Sequence, residues 1–241
     1  MISGLNILTV IPARGGSKGI PFKNLKKIGG VPIVELAAQI ASSIEYIDRV
    51  VVSTDNEEIA EAAIKGGAAA PFRRPSFLSG DRISDLQVLT HALEEMEQRD
   101  KIKYDIVIML QPTSPLRTRK QVVDSIKMLV NNNYDSVWTV SETDSKHHPL
   151  KQLTINQDVQ LNYYDQKGSK VIARQQLEPT YHRNGIAYVM SRKCLVENKS
   201  IMGKKPGVII CEGNHVSIDT EWDLFMVETI NSGKFKIDAL R

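Results

Sequence analysis

The residues best suited to chemistry lie in a basic, glycine-rich segment near the amino terminus. Three cations, Arg14, Lys18 and Lys23, fall within ten residues, together with three glycines. Glycines let backbone N–H groups approach an anion closely, an arginine grips phosphate oxygens in a bidentate way, and lysines act as point charges. The segment directly follows an apolar, β-branched run at residues 6–11, which predicts a buried strand. We therefore interpret it as a polyphosphate site in preference to an exposed basic turn.

This segment matches neither of the common phosphate-binding motifs. It lacks the Gly-x-x-x-x-Gly-Lys-Ser/Thr spacing of a P-loop, and it lacks the Gly-x-Gly-x-x-Gly spacing of a dinucleotide-binding turn. The kinase and dehydrogenase classes lose support accordingly.

A second polar segment, residues 111–117, follows an apolar strand predicted at 105–110. Two prolines stiffen it, and it carries the Gln111 amide, the hydroxyls of Thr113 and Ser114, and the Arg117 guanidinium. Such a set suits a hydroxyl-rich or carboxylate ligand. It equally suits a capped turn with a solvated Arg117, and the residues alone leave both interpretations open.

Two further segments carry charge next to predicted helices. Arg73 and Arg74 precede a helix for which Ser84 is the candidate cap, and they are suited to phosphate, a base edge or a loop ion pair. Asp219 precedes the last predicted helix, where a carboxylate could hold Mg²⁺ against a nucleotide. Taken alone, an ordinary helix cap is the simpler interpretation of Asp219.

The elements that must position these residues alternate between strand and helix. Strands are predicted at 6–11, 49–53, 105–110 and 136–140, with helices at 32–41, 57–65, 84–98 and 118–130 between them. This pattern predicts an α/β fold with a mostly parallel sheet covered on both faces, whose ligands bind at the carboxyl ends of the strands. The loops after the first and third strands should therefore emerge on the same side.

The pattern changes after about residue 149. Short strands are expected at 161–164 and 186–190, with a polar turn at 181–185 before the second, and a sheet strand at 207–211 and a helix at 220–230 follow. We expect one domain spanning 1–241, with an irregular β insertion at about 145–185 suited to contact a second subunit.

Composition excludes several classes of protein. The 31 basic and 28 acidic residues give a net charge of +3, which makes no case for nucleic-acid or membrane binding. Two cysteines, Cys194 and Cys211, are expected to be free buried thiols. Neither a run of ~18 apolar residues nor a signal-peptide pattern occurs, so a cytoplasmic protein is expected.

Taken in order, the strings IPARGGSKGIPFKN, RRP, LQPTSPLR, RNG and IDTEWDL resemble the acylneuraminate cytidylyltransferase family. The resemblance runs from Ile11 to about Glu228. It implies a Rossmann-like nucleotidyltransferase fold with three layers, and a homodimer in which the β-rich insertion reaches over the partner's site.

The resemblance also implies a reaction. CTP and a nine-carbon 2-keto sugar acid, a nonulosonic acid, would give the CMP-sugar and pyrophosphate with Mg²⁺, by attack of the anomeric C2 hydroxyl on the α-phosphorus. Sialic, legionaminic and pseudaminic acids are candidate substrates, with a preference for a legionaminic-type sugar. An eight-carbon keto acid and an inactive nucleotide-binding relative are the alternatives.

Site residues carry over from the family by position. The implied nucleotide-binding residues are Arg14, Ser17, Lys18, Lys23, Asn24, Arg73 and Ser84. Those facing the sugar acid are Gln111, Thr113, Ser114 and Arg174. Arg14, Lys18 and Asp219 are the implied catalytic residues. Asp219 is the implied metal ligand, and either Asp219 or a metal-bound water is the candidate base.

One departure affects the metal site. The family usually has Asp-x-Asp where this chain has Ser217-Ile218-Asp219. Either Asp219 holds Mg²⁺ with water and phosphate oxygens, or a further carboxylate such as Asp223 assists.

Overall fold

The computed structural model describes residues 4–213 and 215–233, which form ten strands and six α-helices. The strands are β1 (Ile7–Pro12), β2 (Lys27–Ile28), β3 (Val31–Pro32), β4 (Arg49–Ser53), β5 (Ile106–Met109), β6 (Ser136–Glu142), β7 (Leu153–Ile155), β8 (Leu161–Tyr163), β9 (Tyr181–Ser191) and β10 (Pro206–Ile210). The helices are α1 (Ile33–Ser42), α2 (Glu57–Lys65), α3 (Asp85–Asp100), α4 (Arg119–Asn132), α5 (Arg192–Val196) and α6 (Glu221–Asn231).

Six strands form one central sheet in the order β10-β6-β9-β5-β1-β4. β1 runs parallel to both β4 and β5, and β10 runs parallel to β6. β9 is antiparallel to its two neighbours, β5 and β6. The expected mostly parallel sheet is confirmed, with one antiparallel strand near its centre.

Alternate residues of β1 pack on opposite faces of this sheet. Ile7 and Ile11 belong to a core shared with the apolar sides of α1, α2 and α4. Leu8 and Val10 belong to a second core, which contains Leu93 of α3. Both faces are therefore covered by helices, which explains why the strand sequence is continuously apolar.

Polar side chains cap the helices that the sequence predicts. Asn56, Ser84, Thr118 and Thr220 each accept a hydrogen bond from a backbone N–H in the first turn of α2, α3, α4 and α6, respectively. Each cap satisfies a donor that would otherwise have no partner within its helix. The longest of the described helices has 16 residues, and none of them combines the length and apolar character needed to cross a membrane.

The expected polar turn at 181–185 is wrong, because these residues form the first half of β9. Their polar side chains find partners inside the sheet: Asn184 is buried, and its Oδ1 accepts a hydrogen bond from Thr139. The pairing of β6 with β9 shifts register between Trp138 and Val140, and Gly185 has a φ of 70°. This irregularity interrupts the apolar alternation from which a strand is predicted.

Candidate functional site

A cavity of about 410 Å³ opens at the carboxyl ends of β1 and β5. The loop that follows β1 contributes Arg14 and Ser17 to its wall, and the loop that follows β5 contributes Gln111 and Thr113. Asp219, which precedes α6, lies on the same wall. The structure thus brings together the two segments that were expected on one side of the sheet.

The loop after β1 is held in place by polar contacts. The backbone N–H of Gly15 donates to Asp55 Oδ1 at 2.8 Å, and the buried Asn24 side chain donates from Nδ2 to the Arg14 carbonyl at 2.9 Å. Asn24 lines the cavity and also braces the backbone of the basic loop. The loop is therefore positioned before any ligand arrives.

The cations of this loop are paired with two carboxylates of the chain. Asp81 contacts Arg14 Nη1 at 2.8 Å and Lys18 Nζ at 2.5 Å, and Asp219 Oδ1 lies 2.9 Å from Lys23 Nζ. Hydrogen bonds from Lys18 and then Arg14 lower the pKa of the Asp81 carboxyl. Each carboxylate places negative charge where the oxygens of a polyphosphate could bind instead.

Asp219 is brought to the basic loop by close backbone packing. A Cβ on Gly19 would lie 2.7 Å from the Asp219 carbonyl oxygen, so only glycine allows this approach. Below it, Ile20 and Ile218 are both fully buried in one small apolar cluster. The position of Asp219 beside Lys23 therefore depends on core packing as well as on charge.

Asp219, the metal ligand that the family resemblance implies, lies on this wall with its carboxylate beside Lys23. Asp223 is occupied with capping, because its Oδ2 accepts hydrogen bonds from the backbone N–H groups of Asp219 and Thr220. The Ser217 hydroxyl lies on the cavity wall, 3.4 Å from Thr113 Oγ1. In the described part of the chain, no group of three or more His, Cys, Asp or Glu side chains forms a metal cage. The arrangement fits Mg²⁺, which commonly takes one or two carboxylates and completes its shell with phosphate oxygens and water.

The loop after β5 is anchored by Ser114 and Arg117. Ser114 is buried and donates to the Asn184 carbonyl at 2.6 Å. Arg117 donates from Nη2 to the carbonyls of Gln111 and Gly185, and burial lowers the pKa of its guanidinium to about 9. The solvated Arg117 considered from the sequence is wrong. Ser114 and Arg117 hold the loop, while Gln111 and Thr113 face the cavity.

The two neighbouring arginines lie in different environments. Arg73 is partly exposed and pairs with Glu57 at 2.5 Å, away from the cavity wall. Arg74 is 6% exposed, lines the cavity and donates to the Ser53 carbonyl. Burial lowers the pKa of Arg74 to about 10. The order of buried Phe72, exposed Arg73 and buried Arg74 follows the alternation of an extended chain, which is the signal that points to Arg74.

Ser84 and Asp85 are also neighbours with different roles. Ser84 is the cap of α3 and is absent from the cavity wall. Asp85, the first residue of α3, lies on that wall, and burial raises the pKa of its carboxyl. Sequence reasoning did not select Asp85, because an acidic residue in the first helical turn has an ordinary explanation in the helix dipole.

Arg174 lies apart from this site. It lines a separate cavity of about 250 Å³ within the insertion, together with Asp144 and His148. Within a single chain, the structure therefore does not bring Arg174 to the wall that carries Gln111 and Thr113.

Comparison with known proteins gives consistent matches. A family model described as cytidylyltransferase matches residues 8–206. The chain is 33% identical over 219 residues to the pseudaminic acid cytidylyltransferase of Campylobacter jejuni, across 90% of this chain and 92% of that protein. It is 29% identical over 237 residues to the CMP-N,N'-diacetyllegionaminic acid synthase of Legionella pneumophila, across 94% of this chain and 96% of that protein.

A solved structure shares the fold. The structure of a CMP:2-keto-3-deoxy-manno-octonic acid synthetase complexed with CTP matches with a TM-score of 0.67 and covers 95% of this chain and 100% of that chain. The sequence identity is 18%, so this similarity supports the fold alone.

Proposed function

Since the chain belongs to the cytidylyltransferase family, as its motifs predicted, we propose that it transfers CMP from CTP to a nonulosonic acid and releases pyrophosphate. The observation that carries this proposal is the single cavity shared by the basic loop after β1, the loop after β5 and Asp219. A nucleoside triphosphate needs concentrated positive charge, and a sugar acid needs hydroxyl and amide partners. Both sets of groups line one wall.

The cations of the basic loop would act on the triphosphate. Arg14, Lys18 and Lys23 would bind its oxygens after Asp81 and Asp219 release them. Negative charge grows on the leaving pyrophosphate during the reaction, and fixed cations in a prepared loop stabilise that charge. Ser17, on the same wall, would add a hydroxyl donor.

Gln111 and Thr113 would orient the sugar acid so that its C2 hydroxyl attacks the α-phosphorus in line. Positioning of this kind accounts for much of the rate in phosphoryl transfer. Mg²⁺, when bound, would neutralise charge on the phosphate oxygens, with Asp219 as its protein ligand. As base, Asp219 would accept the proton of the C2 hydroxyl at a carboxylate oxygen. No side chain needs to form a covalent intermediate.

The insertion supplies the reason to propose a homodimer. In the hairpin formed by β7 and β8, Leu153 pairs with Tyr163 and Ile155 pairs with Leu161, so all four side chains share one face. These side chains are 41–67% exposed. Such an apolar face is typical of a surface that another chain covers. In a dimer, Arg174 of each insertion would reach the partner's cavity and meet the carboxylate of the sugar acid there.

A pyrophosphate-release assay tests the proposed reaction. CTP and Mg²⁺ would be supplied with legionaminic, pseudaminic and sialic acids and with an eight-carbon 2-keto acid. Release with at least one nine-carbon acid is expected. Release with the eight-carbon acid alone would replace the substrate class, and CTP binding without release from any acid would indicate an inactive nucleotide-binding relative.

A further inference from the structure

The groups that line the cavity fall into two chemically different sets. One set comprises the partly buried cations Arg14 and Lys23 of the basic loop. The other comprises Arg74 and Asp85, whose charges act on each other, and the apolar side chains of Pro12, Ile83 and Val88. A flat heteroaromatic ring suits this second set, because its faces can contact apolar groups while its edge meets fixed polar groups.

Arg74 is a preorganised hydrogen-bond donor in this second set. The side chain is more than nine-tenths buried, and its Nη2 is tied to the Ser53 carbonyl, which holds the guanidinium in one place. Among the described residues, its buried Nε has no hydrogen-bond partner. A side chain fixed in this way offers donors in a set direction, which a mobile surface arginine does not.

Asp85 is an acceptor that the described chain leaves without a direct partner. No ion pair or side-chain hydrogen bond engages its carboxylate among residues 4–213 and 215–233, although the charges of Arg183 and Arg74 are near enough to act on it. Burial is the largest influence on this carboxyl and raises its pKa. A partly buried acceptor on a cavity wall is costly unless a ligand donor completes it.

We propose that Asp85 selects cytosine over uracil by accepting a hydrogen bond from the exocyclic amine of the base, with Arg74 donating to the acceptors of the same edge. Cytosine presents an N4 amine donor where uracil presents an O4 acceptor, and carboxylates are suited to accept from that amine. Opposite uracil, Asp85 would place one acceptor against another. This assignment rests on the proposed use of CTP, and it gives the base contact to Arg74 and Asp85 in place of their neighbours Arg73 and Ser84.

The test replaces Asp85 with asparagine and with alanine. Asp85→Asn is nearly isosteric and presents N–H donors, so kcat/KM for CTP should fall by about tenfold or more while the ratio of CTP to UTP use moves toward UTP. Asp85→Ala should lose CTP use without gaining UTP. Glu94→Gln is the control, because it removes one negative charge from the exposed side of the same helix, away from the cavity. It should leave both kcat/KM for CTP and the ratio of CTP to UTP use unchanged.

Binding of CMP and UMP, measured by calorimetry on each variant, separates this inference from the proposed reaction. Preference of the wild type for CMP, lost in Asp85→Asn, supports the inference even if no sugar acid is turned over. The inference is overturned if Asp85→Asn has the same ratio of CMP affinity to UMP affinity as the wild type, or if the wild type binds CMP and UMP equally well. It is also overturned if the substitution changes only the discrimination between CTP and dCTP, because that result would place Asp85 at the ribose.

Discussion

Lys18 and Lys120 make the same kind of contact in different places. Each ammonium contacts one aspartate, Asp81 at 2.5 Å and Asp124 at 2.6 Å, and the two side chains are 83% and 85% exposed. Only the first pair lies beside the cavity. Replacing each lysine in turn therefore distinguishes the effect of losing an exposed ion pair from the effect of losing a phosphate-binding cation.

Lys18→Ala is expected to abolish turnover while leaving the fold intact. An exposed ion pair contributes at most about 1 kcal/mol to stability, whereas loss of one preorganised group that stabilises developing charge costs about 100-fold or more in rate. Pyrophosphate release and thermal unfolding would be measured side by side with Lys120→Ala as control. Near-wild-type release by Lys18→Ala would remove Lys18 from the mechanism.

Ser217→Asp should strengthen the metal site. The substitution places a second carboxylate on the wall that holds Asp219, and affinity for divalent cations rises with the number of charged oxygen ligands. The Mg²⁺ concentration for half-maximal activity is expected to fall by on the order of tenfold. Ser217→Asn, a neutral side chain of the same size, is the control, and equal Mg²⁺ requirements in both variants would contradict the assignment.

Individual site residues were only partly predictable. The basic loop could be selected because cations and glycines after a buried strand have few other uses. The choice between Arg73 and Arg74 depends on which side chain an extended segment turns inward, and the family position led to Arg73. Asp85 was missed because its local sequence does not distinguish it from an ordinary acidic residue in a first helical turn, which the helix dipole favours.

At the scale of single elements, α6 connects helix capping to the site. Thr220 Oγ1 accepts from the Asp223 backbone N–H at 3.2 Å, and Asp223 in turn accepts from the backbone of Asp219. The residues that begin this helix therefore also hold the backbone of the candidate metal ligand.

Thr220→Ala should destabilise the protein by about 1 kcal/mol, the usual cost of losing a threonine cap. Urea denaturation would measure the change. Thr229→Ala is the matched control, because Thr229 lies in the interior of the same helix and its hydroxyl donates only to the Phe225 carbonyl within that helix. If both variants lost the same stability, the cap would not be the cause.

The helices that carry a cap and an apolar repeat could be predicted, as α2, α3 and α4 show. β9 could be predicted only in its apolar half. Its polar half is stable as a strand because Asn184 forms hydrogen bonds with Thr139 and Ser141 of β6. These contacts join residues that are far apart in the chain, so the local sequence does not predict them.

At the scale of the whole molecule, the separation of Arg174 from the main cavity makes the dimer testable through activity. Lys18→Ala and Arg174→Ala should each be inactive alone if both residues serve one site. If they serve it from different subunits, a mixed dimer contains one intact site.

Equal mixing of the two inactive variants, with subunit exchange, should therefore restore about a quarter of wild-type activity, the value for random pairing in a two-fold symmetric dimer. Pyrophosphate release and light scattering would be followed during mixing. A double variant carrying both substitutions, mixed with itself, is the control. Absence of recovery despite demonstrated exchange would place Arg174 outside the partner's site.

The central position of β9 has a consequence for how the chain is made. β6 ends at Glu142 and β9 ends at Ser191, so after β5 and β6 have been made the ribosome must add 49 residues before β9 can join them. At ~5–20 residues per second, the emerging chain spends roughly 2 to 10 s with two open sheet edges. Open edges are templates for pairing with other chains. The length of the insertion therefore sets a period of translation during which the unfinished protein is most exposed to aggregation.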